Sequence, residues 1–270
     1  MMDIYVLVII AIGLSMAMAG AWAIQRATGL SGWIDTVWSL AVGAGGTAAA
    51  ILADGSTSRR SIVLLLVALW SLRLASHIGA RTRGAKEDPR YAKFIEEWGD
   101  SAPWRLFVFL QVQAIAAFVL VLAVYLAAAN GEDLFRSVDF LALAIGFIAL
   151  GGEAASDAQL ARFRKSPRAR TGVCELGLWR YSRHPNYFFE WLFWCCFPLF
   201  ALSGSIWSWL SLLAPTMMYW LLVHVSGIPP LEDYMLRTRG AKFRSLQQRV
   251  NAFFPGARRK SPSIPRGDAP

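Results

Sequence analysis

The sequence predicts an all-α fold, a polytopic membrane helical bundle of about seven transmembrane helices, and three observations predict it. The 270-residue chain is 56% hydrophobic and only 17% charged, with a mean hydropathy of +0.41, outside the ordinary soluble range. Apolar runs recur along it, most of them near the roughly 20 residues that cross a hydrocarbon core of about 30 Å. Lys and Arg are distributed asymmetrically among the connections between those runs.

The runs are, in order, Ile4–Ile24, Trp33–Ala53, Ile62–Ala80, Trp104–Ala129, Val138–Leu160, Tyr187–Leu202 and Ser205–Val225. The first lacks a basic leader, since only Asp3 is charged before Arg26, so it reads as a retained span rather than a signal peptide. Gly13, Gly20, Gly43, Gly45 and Gly46 in the first two runs suit close helix packing in lipid. The Gly43 to Gly46 cluster lies inside an apolar run, without the strand, turn and helix of a dinucleotide-binding loop. Between the third and fourth runs, Arg81–Pro103 is a polar connection with a short helix expected at Tyr91–Trp98. The most basic connection is Arg162–Pro185, between the fifth and sixth runs. Only Ser203, Gly204 and Ser205 separate the sixth run from the seventh, so that pair reads as a tight hairpin or a partly re-entrant element. Pro229-Pro230 then precedes a helix expected over Leu231–Val250. The stretch Gly256–Pro270, rich in Pro, Ser, Arg and Lys, reads as a disordered cytoplasmic tail after a single integral-membrane domain over 1–255.

Seven spans put the two termini on opposite sides. The basic segments 81–93, 162–183 and 237–266 then share one side, which predicts a cytoplasmic C-terminus. The net charge of +9 is therefore mainly a topology signal, with attraction to anionic membrane lipid second. No nucleic-acid partner is expected, because nothing resembles a nucleic-acid-binding module. Cys174, Cys195 and Cys196 lack metal-ligand spacing and read as buried free thiols, with no metal site expected.

Ionisable residues within apolar runs are costly and mark candidate sites. Asp35, with Trp38 three residues on and so on the same helical face, reads as a helix cap after Ser31-Gly32 or as a substrate-facing acid. Trp70, Arg73 and His77 form one stripe at i, i+3 and i+7, and Arg73 is deep enough to call for a partner, with Asp35 the natural candidate. Glu153, Asp157 and Arg164 share a second face, and Asn186 and Glu190 repeat the i, i+4 spacing. An ion-pair ladder has the same pattern as the first of these faces. Two polar faces at one membrane edge can also line a cavity for a polar cofactor, whose phosphates Arg162, Arg164, Arg168, Arg170, Arg180 and Arg183 can neutralise. The positive-inside rule alone accounts for some of these arginines.

Four segments carry a resemblance: Leu69-Trp-Ser-Leu-Arg-Leu74; Arg83-Gly-Ala-Lys-Glu-Asp-Pro-Arg-Tyr91; Gly177-Leu-Trp-Arg-Tyr-Ser-Arg-His-Pro-Asn-Tyr187 with Glu190; and Pro230 through Glu232 to Phe254-Pro255. On these the chain resembles the membrane steroid 5-alpha-reductase superfamily over most of its length, and most closely its bacterial branch, DUF1295. The Arg-His-Pro-Asn-Tyr block is also similar to a stretch of isoprenylcysteine carboxyl methyltransferases and related phospholipid methyltransferases. Glu87–Tyr91 and Leu69–Arg73 tilt the resemblance to the reductases.

The resemblance implies seven spans, a bacterial inner membrane, and NADPH held by the C-terminal half. It carries Asp157, Arg164, Asn186 and Glu190 over as cofactor contacts, with Glu153 where steroid reductases tend to have Asn and Glu232 about where they use His. Arg183 and Tyr187 are additional contacts. The implied chemistry is hydride delivery to the β-carbon of a lipophilic α,β-unsaturated carbonyl, steroid-like or another lipid enone, while an acid polarises the carbonyl oxygen. Steroid reductases grip the ketone with a Glu on the second span and a Tyr on the third. Here Asp35 stands for the Glu, and the Tyr position reads as Ser71 with Arg73 beside it, so Asp35 and Arg73 are the candidate catalytic residues. The alternative reading is an S-adenosylmethionine-dependent membrane methyltransferase, whose cationic cofactor gains less from an arginine-rich loop; a non-enzymatic scaffold or transporter would need no cofactor pocket. The expected partners are a lipophilic small molecule and membrane lipid, with the chain acting as a monomer.

Overall fold

The computed structural model describes residues 3–83, 87–132 and 135–259, and these are helical, with no strand among them beyond an isolated bridge between Ser182 and Asn251. The helices are α1 (Ile4–Thr28), α2 (Gly32–Leu52), α3 (Thr57–Thr82), α4 (Pro89–Trp98), α5 (Ala102–Ala128), α6 (Ser137–Arg164), α7 (Pro185–Trp194), α8 (Cys196–Ala201), α9 (Leu213–Trp220), α10 (Ile228–Arg239) and α11 (Ala241–Arg249). Local chemistry sets several ends. The Asp3 carboxylate accepts from Tyr5 N at 2.9 Å and Val6 N at 3.3 Å to cap α1, and Gly29, at φ 70°, closes it. The short helix expected at Tyr91–Trp98 is α4, which begins at Pro89, a residue suited to a first helical turn.

Among the described residues, six helical stretches are long and apolar enough to cross a membrane: α1, α2, α3, the stretch Tyr91–Ala128, α6 and the stretch Ile206–Arg239, whose apolar part ends at Val225. The polytopic membrane bundle stands, but the sixth expected run does not form a helix of that length. It is split into α7 and α8 at Cys195. Pro198 explains the break: it has no N–H for the carbonyl of Trp194, four residues back, and its ring crowds that carbonyl. The carbonyls at the far end of α8 meet side chains. Asn130 Nδ2 donates to Phe200 O at 2.7 Å and Leu202 O at 3.1 Å, Arg59 Nη1 to Phe200 O at 3.1 Å, and Arg136 Nη1 to Leu202 O at 2.6 Å. Both arginines converge on Asp139, which is fully buried with Arg59. This capping lets a short, broken element end without stranded backbone groups.

The helix expected over Leu231–Val250 is two, because Gly240 takes a positive φ of 50° between α10 and α11. Of the expected disordered tail, residues 260–270 lie outside the described residues. Gly256–Arg259 are fastened: Gly256 N donates to Tyr181 O at 3.0 Å, and Arg258 pairs with Glu175.

The chain divides into two compact units, Met1–Phe147 with Phe193–Met217, and Ile148–Leu192 with Met218–Pro270. In the first, α2 and α3 approach closely through small residues. A Cβ on Gly43 would collide with Ser71, whose Oγ donates to Ser39 O at 2.9 Å, and one on Gly46 would lie 2.9 Å from Val67. Trp70, fully buried, stacks on Phe193 at 5.9 Å and meets Trp194 edge-on at 4.9 Å. In the second unit, a Cβ on Gly152 of α6 would collide with the Phe189 ring of α7. A small apolar core of Phe243, Leu246 and Val250 packs with Val173, Met235 and Leu236.

Candidate functional site

Each unit carries its own cluster of polar side chains. In the first unit the cluster gathers at the start of α2. Glu87 Oε2 accepts from Ser31 N at 3.0 Å, which fastens the chain ahead of α4 to the first turn of α2. Tyr91, in the first turn of α4 and 4% exposed, then donates its hydroxyl to Asp35 Oδ1 at 3.1 Å. Gln113 of α5 donates Nε2 to the Tyr91 oxygen at 3.2 Å, and Trp38 Nε1 donates to Gln113 O at 3.1 Å. The Tyr91 ring meets Phe109 edge-on at 6.4 Å.

Asp35 therefore belongs to a side-chain cluster, while Ser31 occupies the capping position of α2. Arg73 and His77 are half-buried on α3, on the helical face of the buried Trp70. Ser71, read as the position of a substrate-gripping Tyr, is buried in the α2–α3 seam with its hydroxyl bonded to the α2 backbone, so it is a packing residue. The phenol bonded to Asp35 is that of Tyr91. In the sequence Tyr91 closes the Glu87–Tyr91 motif and opens the short helix expected at Tyr91–Trp98, and a tyrosine at that place beside an apolar run was the available signal.

In the second unit, the C-terminal half of α6 meets the segment from Gly177 to Glu190. Gln159 Oε1 accepts from Leu178 N at 2.9 Å, and Trp179 Nε1 donates to Ser156 O at 3.0 Å. Asn186 Nδ2 donates to Asp157 Oδ1 at 3.3 Å, which joins the two expected polar faces. Glu153, Asp157 and Glu190 are all buried. Arg164 is exposed at the end of α6, as are Arg162, Arg168, Arg170 and Arg180. The Tyr187 ring stacks on His184, 5.6 Å between centroids and 10° between planes.

Arg183 and Glu232, expected as cofactor contacts, are committed to each other. Arg183 Nε and Nη2 donate to the two Glu232 oxygens at 2.7 and 3.1 Å, and its Nη1 donates to Gln247 O at 3.3 Å and to Val250 O. A carboxylate only accepts, so His184 Nε2 carries the proton it shares with Glu232 Oε1 at 3.1 Å. Gln247 Nε2 donates to the other oxygen at 2.7 Å. Burial pushes the Glu232 carboxyl up, but hydrogen bonds from His184, Arg183 and Gln247 outweigh it and hold the group down at about 2. Burial lowers the proton affinity of His184, against the pull of Glu232. The backbone completes a clamp on the C-terminal segment: Arg183 N donates to Asn251 O at 2.9 Å and His184 N to Ala252 O at 3.1 Å. Most of the Arg183 guanidinium N–H groups are already taken. His184 and Gln247 had escaped sequence reasoning, which weighed the Arg-His-Pro-Asn-Tyr block for cofactor contacts alone.

The profile of a family described as "Protein of unknown function (DUF1295)" matches residues 21–250. A protein of Schizosaccharomyces pombe, described as uncharacterized, is 29% identical over 228 residues, which is 74% of this chain and 64% of the yeast protein. The match thus spans less than two thirds of that relative's length. No solved structure matches.

Proposed function

We propose that this chain, which belongs to the DUF1295 family, is a membrane reductase that uses NADPH to saturate the C=C bond of a lipophilic α,β-unsaturated carbonyl, either steroid-like or another lipid enone. It works as a monomer with its C-terminus in the cytoplasm. The observation that supports this reading best is the partly buried hydrogen bond from Tyr91 to Asp35. When the β-carbon of an enone is reduced, negative charge develops on the carbonyl oxygen, and a donor aimed at that oxygen lowers the barrier. A phenol can give both a hydrogen bond and a proton. A guanidinium such as Arg73 gives the first but holds its proton too tightly for the second. Tyr91 is accordingly the acid, Asp35 holds its hydroxyl until a carbonyl oxygen takes its place as acceptor, and Arg73 adds positive charge on α3.

The second unit has donors and acceptors that fit the cofactor. Buried carboxylates of Glu153, Asp157 and Glu190, with the Asn186 amide and the Tyr187 hydroxyl, suit ribose hydroxyls and a carboxamide. The exposed Arg162, Arg164, Arg168, Arg170 and Arg180 suit phosphates. NADPH bound there supplies the hydride. Arg183 and Glu232 serve by holding the loop that leads into α7, and so the position of Asn186 and Tyr187.

Thermal unfolding of the purified protein with NADPH, NADH or S-adenosylmethionine tests this reading. Ligand at about 100 times its dissociation constant stabilises by roughly 2.7 kcal/mol, so NADPH should raise the midpoint by several degrees. A rise with S-adenosylmethionine and none with NADPH would replace the reductase by a methyltransferase.

A further inference from the structure

Tyr91 is held from two sides. Its proton goes to Asp35, and its oxygen accepts from Gln113 Nε2 at 3.2 Å. Gln113 is half-buried in α5, between Val112 and Ala114, where an amide is costly unless it is bonded. Its orientation follows from proton counting. Tyr91 has one hydroxyl proton, already given to Asp35, so a Gln113 carbonyl oxygen turned toward the phenol would face another lone pair; the amide nitrogen, which only donates, must point there. The backbone of the same glutamine is pinned by Trp38 Nε1 at 3.1 Å. Trp38 lies three residues after Asp35 on α2, so one helix receives the phenol's proton and also anchors the residue that donates to the phenol.

We propose that Gln113 is a positioning residue for Tyr91, holding the phenol oxygen in place and stabilising the negative charge left on it when its proton leaves. The functional meaning rests on the reading of Tyr91 as the acid. In that step the hydroxyl turns from Asp35 to the carbonyl oxygen of the substrate, the phenolic O–H bond breaks and its proton passes to that oxygen, the electron pair stays on the tyrosine oxygen, and water later returns a proton. A bonded donor favours the charged oxygen over the neutral one, and Gln113 is the donor in place.

The test needs neither substrate nor cofactor. A ring-fluorinated tyrosine, which ionises nearer neutral pH, is introduced at position 91 of the full-length protein in detergent, and its phenolate absorbance is titrated. Gln113→Met keeps the length of the side chain and suits an apolar helix while removing the donor; it should move the ionisation up by about one to two pH units. Gln113→Glu, an acceptor beside the phenol, should move it up at least as far. Asp35→Asn should move it down, since the phenolate no longer faces a negative carboxylate. Coincident titrations for wild type, Gln113→Met and Gln113→Glu would overturn the proposal. Failure to reduce any enone would instead count against the reductase reading and leave this shift in place.

Discussion

Glu232 accepts from four side-chain nitrogens: two of Arg183, His184 Nε2 and Gln247 Nε2, at 2.7 to 3.1 Å. Glu232→Ala removes all four bonds and leaves the Arg183 guanidinium, 10% exposed, with only the carbonyls of Gln247 and Val250. Breaking a buried pair from one side costs about 3–5 kcal/mol. The remaining exposure of both partners and the two carbonyl contacts place this case at the low end, about 3 kcal/mol, or roughly 150-fold in an opening equilibrium. Native-state hydrogen exchange reads that number directly. The amides of Arg183, His184 and Gly256 bond to Asn251 O, Ala252 O and Tyr181 O across the clamp, so they should exchange roughly 100-fold faster in the variant. Amides in α1 should be unaffected. Glu232→Gln, which keeps an acceptor but no charge, should fall between. If Arg183, His184 and Gly256 exchange at wild-type rates in Glu232→Ala, the clamp does not hold the C-terminal segment and the reasoning fails.

Acidification should weaken the same clamp in two stages, visible as lost protection of those three amides. His184 has its pKa lowered in the folded state, so below about 6.5 the unfolded chain takes up a proton that the folded one refuses, and stability declines. Glu232 is depressed from 4.5 to about 2, so its contribution is complete above 4.5 and is lost as pH falls toward about 2; Glu232→Gln should abolish this second stage, and a curve identical to wild type would contradict the assignment. Arg59→Ala leaves Asp139 without one partner and Phe200 O without one donor, so the thermal midpoint should drop, with a cost of about 3–5 kcal/mol. An unchanged midpoint would mean that the capping of α8 is dispensable. Gly152→Ala drives a methyl into the Phe189 ring and should cost about 1–3 kcal/mol in the same assay, whereas Gly151→Ala, which meets open space, should be nearly silent. Tyr91→Phe should retain stabilisation by NADPH and reduce an enone about 10²–10⁴-fold more slowly; full activity would remove Tyr91 from the chemistry.

The long helices were legible because lipid imposes a length and a composition that a single chain displays in order. Where two side chains far apart in sequence decide a feature, the order of residues carries little. Tyr91 and Asp35 are separated by 56 positions and Arg183 and Glu232 by 49, so neither partnership has a spacing to read. Ser71 was the natural choice for the phenol's place because it sits in the apolar run beside Trp70 and Arg73, yet that face of α3 is where Gly43 lets α2 come closest. Single-residue breaks were legible in principle. Pro198 and Gly240 both stand in helical patterns, and both end a helix early for ordinary backbone reasons. The Arg-His-Pro-Asn-Tyr block divides in two: Arg183 and His184 hold Glu232 and the C-terminal segment, while Asn186 meets Asp157.

The reductase reading is tested most directly by incubating the purified protein with NADPH and a panel of lipophilic α,β-unsaturated ketones and following the loss of reduced nicotinamide absorbance together with the saturated product. The account predicts enone-dependent oxidation of NADPH by the wild-type chain, and its loss in Tyr91→Phe while NADPH still raises the thermal midpoint of that variant. Absence of NADPH oxidation across the panel, with methyl transfer from S-adenosylmethionine to a lipid acceptor in the same preparation, would contradict it.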